Sequence, residues 1–292
     1  MKELTLSNFT AEQSVNAASQ RQVNYAAALA THQQILEQMQ ERSAALRRHA
    51  KFCFDRGDYF AWLKSLIPLV SHSLTFTPSL PQMEPPSRDE ILWNVGGDGE
   101  SCVKDALKQC LSDEWTMVSG YRNRNGEIDQ LLVGPSGVLA IEVKNVSGVV
   151  SCNGEFWWRD KYDKYGNLVQ RGVPLRDNGG RSPCEQLNAS ASLLEAFLTR
   201  RVGLAQVGRV VILPNPSARI GQIRDCRVDS VFKVESITLA KVQRLASFGL
   251  GFATTDEVVC LIARDHVFHE NRSGGKRIRH HSHPVATRAA SA

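Results

Sequence analysis

The sequence predicts a mixed α/β layer domain preceded by an α-helical region. Residues 11–50 contain no Gly or Pro, four prolines fall within residues 77–86, and the remainder alternates helical with strand-like patterning. Ala, Gln, Glu, Leu and Arg dominate the first stretch, so it reads as one long helix. Val15, Ala18, Gln22, Tyr25, Leu29, His32, Leu36, Met39, Ser43 and Leu46 alternate spacings of three and four, which is a heptad register. Gln22, His32 and Ser43 interrupt the apolar seam. The helix therefore has two readings: an amphipathic element packed on its own domain, or a coiled coil for a homodimer or a partner protein. A second helix is expected from Tyr59 to Val70, broken near its end by Pro68.

Residues 77–90 read as a linker, because a run with prolines at 78, 81, 85 and 86 continues neither a helix nor a central strand. Gly96-Gly97-Asp98-Gly99 then reads as a flexible lead-in to a helix from about Glu100 to Leu111. Strands are expected at Trp115–Tyr121, Glu127–Val133 and Val138–Lys144, with Gly134-Pro135-Ser136-Gly137 as a turn. Residues Val149 to Val169, rich in Trp and Tyr and punctuated by Gly154 and Gly166, suggest short hairpins. Pro183 opens a helix to about Arg200, Val207–Leu213 is an apolar strand, and a short strand near Val231–Val234 and helices near Leu239 and Val258 follow. The first three strands are joined too tightly for parallel crossovers, so they form an antiparallel meander, and the later strand joins through the intervening helix. That order describes an α/β layer domain rather than a doubly wound Rossmann fold.

Hydrophobic content of 42% and charged content of 22% are ordinary for a globular chain. No apolar run approaches the roughly 18 residues of a membrane span, and Met1-Lys2-Glu3-Leu4-Thr5 lacks the layout of a secretory signal, so a cytoplasmic protein without membrane contact is expected. The seven cysteines are scattered and form no CxxC pair, which fits reduced thiols. The net charge is +5, and Arg272, Lys276, Arg277, Arg279 and Arg288 account for all of it. Residues 271–292 thus read as a basic disordered tail, with His280, His281 and His283 part of a polar end rather than a metal site. Overall basicity is then no argument that the body of the chain binds nucleic acid.

The third strand carries the chemistry. Alternation puts Leu139, Ile141 and Val143 on one face and Val138, Ala140, Glu142 and Lys144 on the other. The second face begins apolar and ends in a carboxylate and an ammonium, as a strand does when it leaves a core for a cleft. Burying a lone charge is costly, so both groups call for partners. Asp129, on the preceding strand, lies about as far from the turn as Glu142, which in a hairpin brings the two within roughly 5 Å. Two carboxylates that close repel unless a cation sits between them, and hard oxygen ligands suit Mg²⁺ or Mn²⁺. An E-x-K pair is common on strands, and solvated edge charges are the bland alternative.

Gly126-Glu127-Ile128-Asp129, followed by Gly137-Val138-Leu139-Ala140-Ile141-Glu142-Val143-Lys144-Asn145 and Gly148, resembles the NERD, or nuclease-related, domain of the PD-(D/E)xK superfamily. The start Gly97-Asp98-Gly99-Glu100 and the later Ser182-Pro183-Cys184-Glu185-Gln186 resemble its flanking motifs, over about residues 93–214. The resemblance implies a restriction-endonuclease-like core of order αβββαβ, a mixed sheet flanked by helices. It implies that Asp129 and Glu142 bind a divalent metal, Mg²⁺ or Mn²⁺, with the Val143 carbonyl as a third ligand. It implies that Lys144 positions or deprotonates the attacking water, that Glu100 assists, and that Gln186 orients groups from the next helix. Glu100 has a plainer reading as a helix-capping acid, Gln186 as a solvated helix residue, and Trp157-Trp158 as a hairpin packed on the core. The domains expected are a helical region over 1–76, a linker over 77–90, a nuclease-like domain over 91–270 and a tail over 271–292. The function implied is a metal-dependent endonuclease acting on DNA in preference to RNA, by analogy in foreign-DNA defence or mobile-element biology. The alternative is a nuclease-fold binding or assembly subunit, inactive or active only with a partner.

Overall fold

The structure, a computed structural model, describes residues 1–73, 78–177 and 179–277. In chain order the elements are β1 (Lys2–Thr5), α1 (Phe9–Asp55), α2 (Tyr59–Ser73), α3 (Arg88–Cys110), β2 (Thr116–Asn123), β3 (Gly126–Gly134), β4 (Gly137–Val143), β5 (Gly148–Asn153), β6 (Phe156–Tyr162), β7 (Leu168–Pro174), α4 (Pro183–Val202), β8 (Val207–Leu213), β9 (Ala218–Arg224), β10 (Ser230–Lys233), α5 (Leu239–Leu245) and α6 (Thr255–Arg277). They fall into two units, one of Gln13–Ile91 and one of Met1–Glu12 with Leu92 onward.

In the helical unit α1 runs unbroken, as its Gly- and Pro-free sequence predicts. The seam at Ala18, Tyr25, Leu29, His32, Leu36, Met39, Ser43 and Leu46 is half-buried, while Val15 and Gln22 are exposed. Pro68 does not end α2, which continues to Ser73. It sits on an exposed stretch of the helix, where water can replace the backbone bond that proline forfeits. Glu90, at the start of α3, is 3% exposed, and its carboxylate receives two bonds from the Arg21 guanidinium, at 2.6 and 3.0 Å. Removing one partner of a buried ion pair strands the other charge. Arg21→Ala is therefore expected to destabilise this unit by about 3–5 kcal/mol in urea unfolding followed at Trp62, and a second substitution, Glu90→Gln, is expected to restore most of that loss.

The other unit is mixed α/β. Its main sheet has six strands in the order β1-β2-β3-β4-β8-β10. β2, β3 and β4 form the antiparallel meander expected, and β8 joins β4 in parallel through α4. One face of the sheet carries α4 and α6 over a core that includes Val138, Ala140, Leu194, Leu198, Val258 and Ile262. The other carries α3 and α5 over Leu139, Ile141, Val103, Leu107, Val242 and Leu245. The alternation read from β4 is thus the division between the two cores. A second sheet, β7-β6-β5-β9, comes from the predicted hairpins and from β9. β9 left no sequence signal because its pattern is almost wholly exposed.

Several boundaries differ from expectation. Residues 1–12 belong to the α/β unit rather than the helical region, because β1 pairs in parallel with β2 on the sheet edge. The linker gives way to helix at Arg88, and the Gly96–Gly99 segment lies inside α3 rather than leading into it. Gly99 serves close approach instead: a Cβ there would lie 2.7 Å from Asn145 Cβ and 3.2 Å from Pro214 Cγ. The tail expected from residue 271 begins inside α6, which extends to Arg277, and 278–292 lie outside the described residues. Among the described residues no helix is long and apolar enough to cross a membrane.

Candidate functional site

The site forms where β4 leaves the core. The β3–β4 register pairs Gln130 with Ile141, so the next step outward sets Asp129 opposite Glu142 on the α4-side face. Asp129 does not continue the ladder by its backbone; its Oδ2 accepts the Val143 N–H at 2.7 Å. That bond fixes the carboxylate against β4. Glu142 is fully buried, and its Oε2 accepts no hydrogen bond from the described residues. The Lys144 ammonium lies 2.6 Å from Glu142 Oε1 and donates to Gln186 Oε1 at 3.2 Å.

Gln186 stands where it does because α4 starts where it does. Ser182 caps the helix by accepting from the Glu185 N–H, and Glu185 accepts the Ser182 N–H in return at 2.7 Å. This capping box, with Pro183 in the first turn, fixes the helix start and aims the following residue at Lys144. The backbone of Lys144 is held too, its N–H donating to the Ile212 carbonyl at 3.0 Å on β8.

The electrostatics are those of crowded acids. Burial pushes the Glu142 carboxyl up to about 8, and the neighbouring Asp129 charge adds to the rise against the pull of Lys144. Asp129 is raised as well, chiefly by burial, with Lys144 and the Val143 N–H holding it back. Burial works against the Lys144 ammonium, but the two carboxylates outweigh it and its pKa rises. Two buried carboxyls side by side, with one ammonium between them, are a pair of hard oxygen donors carrying more acid than Lys144 alone offsets. Among the described residues no group of three or more His, Cys, Asp or Glu side chains is placed to hold a metal. The pair suits an ion that keeps most of its shell for water, backbone oxygen and substrate, as Mg²⁺ does.

Residues 95–214 match the family model of the nuclease-related domain, NERD. The NERD segment runs from within α3 to the residue after β8 and contains Glu100, Asp129, Glu142, Lys144 and Gln186. No curated protein sequence matches. The chain also matches the crystal structure of protein VC1899 from Vibrio cholerae, at 14% identity over 86% of this chain, with a TM-score of 0.21. The chain spans 56% of that protein's length, and a likeness of that score does not establish a shared fold.

Within the NERD segment the structure brings Asp129, Glu142, Lys144 and Gln186 together. Glu100 lies well inside α3, so it caps no helix end, and its charge reaches Glu142. Three further residues were not singled out from sequence. Gln130 is buried at 2% exposure, and its amide donates to the Glu100 carbonyl at 2.8 Å, tying α3 to β3. Asn145 donates to the Val95 carbonyl at 2.7 Å and accepts from Asn215 at 3.1 Å, bridging α3, β4 and the segment after β8. Asp177, before α4, adds its charge to those around Lys144. A polar Gln inside an apolar strand run was the signal available for Gln130; Asp177 left none. Trp157 is a core residue, 1% exposed, with its indole N–H donating to Cys184 Sγ at 3.2 Å.

Proposed function

We propose that the NERD segment is a metal-dependent nuclease hydrolysing phosphodiester bonds, acting on DNA in preference to RNA. The observation that carries this reading is the fully buried Glu142 carboxyl, set beside a second acid, Asp129, and paired with the Lys144 ammonium. A protein core does not keep such a group for stability, since an apolar residue would serve better. Asp129 and Glu142 would hold Mg²⁺ or Mn²⁺, with the Val143 carbonyl as a further ligand. When bound, the ion would lower the pKa of its water and neutralise charge on the scissile phosphate. Lys144 would orient the attacking water and offset negative charge developing on the phosphate. Gln186 would hold the Lys144 ammonium in place through its Oε1. Glu100 would contribute charge from α3 and help order water in the cleft.

The test is cleavage of labelled DNA and RNA by the purified full chain with Mg²⁺ or Mn²⁺, repeated with EDTA. Cleavage that needs the metal and stops with EDTA is expected. Cleavage that persists in EDTA overturns metal dependence, and no cleavage of any nucleic acid overturns the enzyme reading.

A further inference from the structure

On the same sheet face as the candidate site, α4 and α6 line a cleft of about 970 Å³. Arg200 and Arg201 line it from α4, Arg264 and Arg272 from α6, and Arg124 from the β2–β3 turn. All five are exposed, and among the described residues none of them has a carboxylate partner. Asp265, the acid in the wall, is engaged by the Tyr121 hydroxyl at 2.5 Å and by His269 at 3.7 Å. Arg201 lies over Phe197 and Arg272 over Phe268, which stiffens two of the guanidiniums on flat supports.

This concentration is not a by-product of overall charge. Residues 1–270 carry no net charge, yet four of the five arginines belong to them. Guanidiniums gathered without counter-ions repel one another, and a polyanion seated among them would relieve that repulsion. Arginine's forked donors match phosphate oxygens in pairs, and exposed basic clefts track nucleic-acid backbones. We propose that the α4–α6 cleft binds the sugar–phosphate backbone of a nucleic-acid strand, extending the substrate path beyond the acid cluster.

The spacing supports one continuous path. From Gln186 to Arg200 along α4 is about 21 Å at 1.5 Å per residue. That span leads from the acid cluster toward the cleft, a separation of about six nucleotides at 3.4 Å per step. The proposal rests on the nuclease reading for the path, but the cleft can be tested without cleavage.

The experiment measures binding of a fluorescent DNA oligonucleotide by anisotropy in EDTA across a salt series. It compares the full chain with Arg200→Gln/Arg264→Gln and with Arg47→Gln/Lys51→Gln, which removes two exposed charges from the helical unit. The cleft variant is expected to bind at least about tenfold more weakly, with a log–log salt slope shallower by about two, and the helical-unit variant to bind as the parent does. Unchanged affinity and slope in the cleft variant, or an equal loss in both variants, overturns the proposal. Binding lost in the cleft variant from a parent that cleaves nothing would uphold the cleft and overturn the nuclease reading instead. Normal cleavage with unchanged binding in the cleft variant would do the reverse.

Discussion

Lys144→Ala is expected to lower DNA cleavage by about 10³-fold while the chain stays folded. Lys144 is the ammonium paired with Glu142, and it is held on its other side by Gln186. Removing it takes away the positive charge available to orient the nucleophile and to meet charge on the phosphate. The fold should survive because the Glu142 carboxyl, already at about 8, can take up a proton when its partner leaves. Single-turnover cleavage gives the rate, and near-ultraviolet circular dichroism checks the packing. A rate within a few-fold of the parent would remove Lys144 from the chemistry.

Glu142→Gln is expected to have opposite effects on activity and stability. The folded-state pKa of Glu142 is raised, against about 4.3 in an unfolded chain. Between those values the folded protein holds a proton that the unfolded chain has released. Stability therefore falls as pH rises from about 4.3 to about 8, and the full cost of the buried charge is present above that range. In EDTA the parent should lose thermal stability across that window. Glu142→Gln should be flatter and, at the alkaline end, more stable by on the order of a few kcal/mol. The same variant should lose cleavage, and with it the rise in melting temperature expected of the parent if Mg²⁺ binds its folded state. Melting curves of parent and variant that stay parallel with pH would show that Glu142 is not buried as a charge.

Much of the fold was legible because it rests on local periodicity. The meander, α4 and β8 were readable from alternation, turn glycines, a proline at a helix start and one apolar run. The misses share a different cause. β1 is four residues with one apolar side chain, and only the open edge of β2 makes it a strand. β9 has almost no buried face, so its membership depends on β5 beside it. Glycines at 96, 97 and 99 suggest flexibility from sequence, yet they sit within a helix whose Gly99 is pressed on Asn145. Removing residues 1–86 would take β1 from the sheet along with the helical unit.

The sequence by itself determined the faces of β4, the hairpin that sets Asp129 against Glu142, and the start of α4, because each follows from backbone geometry over a few residues. It also assigned the net positive charge to the last residues of the chain. Only the tertiary structure decided that Glu142 is fully buried against Asp129 and Lys144, that Gln186 reaches Lys144, that Gln130 and Asn145 tie α3 to the site, and that five arginines from two helices and a turn share one cleft. Those facts depend on the packing of segments far apart in the chain, and burial and electrostatic neighbourhood exist only once that packing has formed.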